Sequence, residues 1–141
     1  MTAPAGLLLW RVTLAWQRVM RAALEPHDLT HAQFVLLVST QWLGAHEDMP
    51  TQQRIAEHAG TDAMMTGQVL RRLAARQLVS RIPDAKDPRT PRIALTETGR
   101  NLLADALADV ETTDAEFFAA LGQDREVFLR GLAALRDDHG V

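Results

Sequence analysis

The chain has 141 residues, no cysteine and a net charge of −3. This length gives one domain with a sizeable core, and the missing thiols exclude cysteine redox chemistry and Cys-ligated zinc. The longest mostly apolar run, Phe34 to Val38, is far too short to span a bilayer. The opening Met1-Thr2-Ala3-Pro4-Ala5-Gly6 holds no basic residue and does not read as a secretory signal, so the cytoplasm is the expected compartment.

Residues 7–24 predict a first helix. Leu8, Val12, Trp16, Val19 and Ala23 follow one face, while Leu7, Trp10, Leu14 and Leu24 lie mostly on another. Apolar groups all round mean burial on several sides. A terminal helix in a small domain has few internal neighbours, so a partner chain is the expected cover. Pro26 follows its end. The next helix opens with two devices. Thr30 and Gln33 fit a capping box, and Leu29 and Phe34 fit a hydrophobic staple. It is expected to run to about Leu43 and stop at Gly44, before a loop over 45–50.

Thr51 is positioned to cap a short helix from Gln52 to Ala59, with Ile55, Ala56 and Ala59 inward and Gly60 closing it. Asp62 caps the next. Thr66, Val69, Leu70 and Leu73 then fall on a packing side; Met64, Gly67, Gln68 and Arg71 fall on the other. Two helices joined by a short glycine-containing turn, the second two-faced and basic, predict a helix-turn-helix over about 51–76. Such an outer face suits major-groove reading. Residues 68–92 carry seven cations against two acids, a local balance of +5 inside an acidic chain. Local charge decides phosphate binding more than the total does.

Leu78–Ile82 and Arg92–Leu95 predict two short strands around a turn-rich loop with three prolines, a wing over about 78–95. Thr96 caps a long helix along which Leu103, Leu107, Val110, Asp114, Phe117 and Leu121 form a stripe, broken at Gly122. Val127, Phe128, Leu132 and Leu135 define a last helix, with a frayed tail expected over 136–141.

This order resembles the MarR family of winged helix-turn-helix transcription regulators, over nearly the whole chain. The most diagnostic pieces are Leu78-Val79-Ser80-Arg81, then Asp87-Pro88-Arg89, then Leu95-Thr96-Glu97-Thr98-Gly99. Leu29-Thr30 with Gln33-Phe34 and Leu36 is similar to the family's second-helix opening. The resemblance implies a mainly α, single-domain fold with a two-stranded β wing and N- and C-terminal dimerisation helices, about 7–25 and 97–138. It further implies a homodimer on near-palindromic double-stranded DNA, with the fourth helix in the major groove and the wing in the minor groove. Release by a small aromatic or acidic effector is implied as well. The chain departs from the family pattern at Gln77, where glycine is usual, and at Met64, Met65 and Gly67, where small polar readers are common.

The DNA-binding candidates are Thr51, Gln52, Arg54, Met64, Gly67, Gln68, Arg71, Arg72, Lys86 and Arg89. Arg89 suits a narrow minor groove. Gln68 can pair with adenine, and methionine can touch a thymine methyl. Thr51 and Gln52 begin a helix, whose N-terminus suits phosphate; Arg54 on that turn is as readily a solvated charge. Asp87 is expected to orient a neighbouring arginine, with Arg81 as a partner. One of Arg71 and Arg72 can pair at the wing base, and Arg71 is favoured for DNA.

Trp10, Trp16, His27, His31 and Trp42 come from the segments that frame the ligand site in relatives, and core or dimer filling is the competing role for each tryptophan. His27 and His31 are four apart, but His27 precedes the helix cap, so no metal site is expected. No cofactor, membrane contact or catalytic constellation is expected either. Met64, Met65 and Gly67 leave one alternative, a winged-helix protein-interaction module that does not read DNA.

Overall fold

The computed structural model describes residues 2–140. Six helices and one hairpin follow in order: α1 (Ala5–Leu24), α2 (His31–His46), α3 (Gln52–Ala59), α4 (Ala63–Ala75), β1 (Val79–Pro83), β2 (Pro91–Leu95), α5 (Glu97–Phe118) and α6 (Arg125–His139). Short 3-10 segments, Glu25–His27 and Ala119–Asp124, join α1 to α2 and α5 to α6. The expected architecture, mainly helical with a two-stranded wing, is the observed one.

Local chemistry sets the helix starts. At α2, Thr30 Oγ1 accepts from the Gln33 amide and the Gln33 side chain accepts from the Thr30 amide, so the capping box is complete. Leu29 and Phe34 are buried beside it. Thr51, Asp62 and Thr96 cap α3, α4 and α5, each accepting the amide three residues on. Gly60 ends α3 in the left-handed region at φ 71°.

The core lies where α2 meets α3, α4, the wing base and the first half of α5. Leu24, Leu36, Leu37, Leu43, Ile55, Leu70, Leu73, Ile93 and Leu103 are all inaccessible or nearly so. β1 and β2 pair antiparallel, from Val79 opposite Leu95 to Pro83 opposite Pro91. The segment before α3 is tied to the wing root. Thr51 bridges to Arg92, the Ile93 amide donates to the Pro50 carbonyl at 2.8 Å, and Arg92 donates to the Met49 carbonyl.

The outer helices differ. α1 buries only Met20 and Leu24, and leaves Leu7, Leu8, Leu9, Trp10, Val12 and Leu14 exposed. None of the described α6 residues is buried, and Val127, Leu129, Leu132 and Leu135 face outward. No helix of the described residues is long and apolar enough to cross a membrane.

Three expected boundaries move. α2 continues through Gly44 to His46, because an interior glycine costs only ~1 kcal/mol relative to alanine and the turn beyond it is closed by a Glu47 amide to Leu43 carbonyl bond. α5 ends at Phe118, ahead of Gly122, and Leu121 falls in the 3-10 segment; Phe117, Phe118 and Phe128 pack at this corner. The tail is helical to His139 and closes at Gly140, φ 66°. Val141, also assigned to a frayed tail, lies outside the described residues.

Candidate nucleic-acid interface and effector cleft

α4 is held from one side. Thr66 is buried and donates to the Asp62 carbonyl at 2.7 Å, and Leu70 and Leu73 enter the core. The opposite side carries Met64, 75% exposed, with Gln68, Arg71 and Arg72 also exposed. Neither Arg71 nor Arg72 forms an ion pair among the described residues. The cation at the wing base is instead Arg92, 3.8 Å from Asp84. Gln68, Arg71 and Arg72 line one shallow groove with Ala75.

Gly67 does not sit open on this face. It is buried, because the Gln52 side chain from α3 crosses it. A Cβ at this position would come 2.8 Å from Gln52 Nε2 and 3.4 Å from Arg71 Nη1. Gln52 Nε2 also points at the Ala63 carbonyl, 3.5 Å away. Helical spacing puts Gly67 on the outer side of α4, but spacing within α4 carries no information about what another helix lays across it.

Arg89 stands at the wing tip with its side chain 94% exposed. Asp87 organises that tip. Its carboxylate accepts from the Arg89 amide and the Thr90 hydroxyl, with Arg89 Nε 3.5 Å away. Arg81 is not its partner: Asp87 bonds within its own turn, and Arg81 projects from β1 into solvent. Lys86 is exposed on the same loop. Arg54 is already engaged. It donates to both Glu47 oxygens, at 3.0 and 2.7 Å, with Glu57 at 3.8 Å. That bond holds the Glu47 carboxyl below its ordinary range and the Arg54 guanidinium above its own.

The aromatic and histidine set divides into separate places. Trp16 donates from Nε1 to Asp114 on α5 at 3.0 Å and meets His31 edge-on, ring centroids 5.1 Å apart. Burial, then nearby Arg21, lowers the His31 pKa. His27 bonds Asp109 of α5 at 2.6 Å. Trp42 is not with them. It lies eleven residues beyond His31 on α2, ~16 Å along the axis, stacked near-parallel on His46 (4.2 Å) and beside His58 (4.9 Å). Trp10 is 62% exposed, on the outward side of α1.

A cleft of about 500 Å³ opens beside His31, between the end of α1 and the start of α2. Arg21, Glu25, Asp28, Gln33 and Arg76 line it. Arg76, just past α4, donates to the Asp28 carbonyl at 2.6 Å and lies 3.4 Å from Gln33 Oε1. Asp28 is itself left-handed, φ 52°. Sequence reading missed Arg21, Arg76, Asp109 and Asp114 as members of this region. Asp114 carried a readable signal, an acid inside an apolar stripe. Arg76 carried none, since its partner is 48 residues away.

Residues 29–90 match the MarR family. The chain is 41% identical over 134 residues to the HTH-type transcriptional regulator YdcH of Bacillus subtilis (strain 168), covering 95% of this chain and 90% of that one. The transcriptional repressor CouR bound to a 23-mer DNA duplex superposes with a TM-score of 0.83 at 30% identity, covering 94% of this chain and 92% of that one. The Mycobacterium tuberculosis MarR family protein Rv2887, in complex with salicylic acid, superposes with a TM-score of 0.71 at 32% identity, covering 95% and 97%. With likeness running across nearly the full length and through both helix-turn-helix and wing, the chain belongs to the MarR family of helix-turn-helix transcriptional regulators.

Proposed function

We propose that this chain is a ligand-responsive repressor that binds a near-palindromic site on duplex DNA as a homodimer, in the cytoplasm and with no catalytic role. The observation that carries the reading is the row of exposed Met64, Gln68, Arg71 and Arg72 on α4, beside a wing whose exposed Arg89, only loosely paired with Asp87, can reach a minor groove. Thr51, Gln52 and Lys86 flank that row; Arg54 contributes less, since Glu47 neutralises it. The outward apolar faces of α1 and α6 support pairing with a second copy, which would remove them from water.

The effector reading rests on the cleft. Arg21, His31 and Arg76 offer cationic or donor groups to an acidic ligand, and the Trp16 edge offers an apolar wall nearby. Arg76 extends from the end of the reading helix, so a carboxylate that draws it from Asp28 acts directly on α4's footing. Of the remaining tryptophans, Trp10 suits the pairing surface and Trp42 a structural stack.

Titration of the protein against its own promoter region at several salt concentrations tests the DNA reading. A regulator neutralising several phosphates shows affinity falling steeply with salt, together with a preferred site. Flat, unselective binding at low salt refutes it. Salicylate, the acid bound by Rv2887, is the first effector probe. It should weaken the DNA complex in the parent and lose its effect in Arg76→Ala.

A further inference from the structure

Gly67 leaves a notch in the outer row of α4, and the notch is filled from α3. The atom nearest the missing Cβ is Gln52 Nε2, at 2.8 Å, with Gln52 Cδ and Arg71 Nη1 both at 3.4 Å. A side chain from the neighbouring helix thus occupies the place of a base reader between Met64, Gln68 and Arg71. We propose that Gln52 is a specificity-determining residue, a base-reading amide delivered through the Gly67 notch. This assignment rests on the regulator reading above.

Three features favour a base over a phosphate as its partner. The amide nitrogen sits 2.8 Å from where a Gly67 Cβ would stand, on the side of α4 that carries Met64, Gln68 and Arg71, the side that meets base edges. Its one bond in the structure, to the Ala63 carbonyl at 3.5 Å, is at the limit of hydrogen bonding and easily exchanged. A carboxamide pairs a donor with an acceptor in one plane, the pattern that matches adenine N7 and N6 in the major groove. The Arg71 guanidinium at the same notch brings a second reader, suited to guanine, against it. Gly67 is then required for space. Alanine there would push the amide aside while favouring the helix itself.

The test selects sites from a randomised duplex library with the parent protein. Affinities are then measured for every single-position variant of the selected motif with the parent, Gln52→Ala and Gly67→Ala. Gln52→Ala should lose roughly ten- to a hundred-fold of discrimination at one position in each half-site, the scale of one bidentate amide–base pair, and keep the rest. Gly67→Ala should lose preference at that same position with Gln52 still present, and melt no lower than the parent.

Uniform weakening at all positions with a shallower salt dependence assigns Gln52 to phosphate and overturns the proposal. So does an unchanged motif in both variants, which leaves the regulator reading standing. Failure of the parent to select any motif overturns both.

Discussion

Gly99→Ala is expected to destabilise the protein, although alanine is the better helix former. Gly99 lies in the first turn of α5, and a Cβ there would come 2.0 Å from the Leu78 carbonyl oxygen, where real Cβ contacts stay beyond 3.0 Å. The obstacle is backbone, so no rotamer relieves it. The same oxygen accepts the Thr96 amide at 3.0 Å, and Thr96 Oγ1 donates to the Gln77 carbonyl while capping Gly99. Parting the two segments by about 1 Å costs ~1–3 kcal/mol of overpacking. Weakening the Thr96–Leu78 bond adds ~1 kcal/mol. Helix propensity returns ~1 kcal/mol. The net loss is ~1–3 kcal/mol, which lowers the melting temperature by roughly 3–10 °C for a chain of this size. Circular dichroism melts at one fixed protomer concentration measure it, since the proposed pairing would make the midpoint concentration-dependent. The exposed neighbour Thr98→Ala, as control, should stay within ~0.5 kcal/mol. A Gly99→Ala protein melting at or above the parent temperature would show that the wing root is not pinned to α5 here.

Gln77 is left-handed at φ 60°, a strain of ~1–2 kcal/mol for a residue with a Cβ. Glycine relieves it but loses ~0.5–1 kcal/mol of chain entropy, so Gln77→Gly should raise the melting temperature by up to ~4 °C; a decrease contradicts the strain argument. Arg89→Ala should weaken promoter binding, reduce the salt slope by about one and leave the melting temperature unchanged, whereas an unaltered slope removes Arg89 from the phosphate-lined groove. His31 has its pKa lowered in the folded chain, so the unfolded chain binds its proton first. The stability this gives is present above pH 6.5 and is lost as pH falls from there through the folded value. Melting temperatures of the parent from pH 7.5 down should therefore fall more steeply than those of His31→Gln; parallel curves refute it.

The features readable in advance were those settled within a few residues. The capping box at Thr30 and Gln33, the caps at Asp62 and Thr96 and the left-handed Gly60 depend on neighbours along the chain. The two-faced α4 was legible for the same reason, since helical spacing alone sorts Thr66 and Leu70 from Gln68 and Arg71. Contacts between distant segments were not. Nothing near Arg76 announces Asp28, and nothing in α4 announces that Gln52 covers Gly67. Trp42 and Trp16 both come from segments that frame the ligand site in relatives, but the length of α2 separates them. The motif ending at Gly99 was recognised by resemblance, and its cause became visible only when Leu78 was seen against it.

The tie between Pro50 and Ile93, with the Thr51–Arg92 bridge beside it, has a consequence for how the protein measures its target. A backbone hydrogen bond and an isolated bridge join the support of the reading helix to the stem of the wing, so the two cannot slide past one another without breaking them. Within one subunit the span from the α4 row to the Arg89 tip therefore acts as a fixed ruler. On the proposed DNA reading, the number of base pairs between the α4 contact and the Arg89 contact becomes a constant of the fold. Changes in spacing that the protein tolerates must fall between half-sites, never inside one.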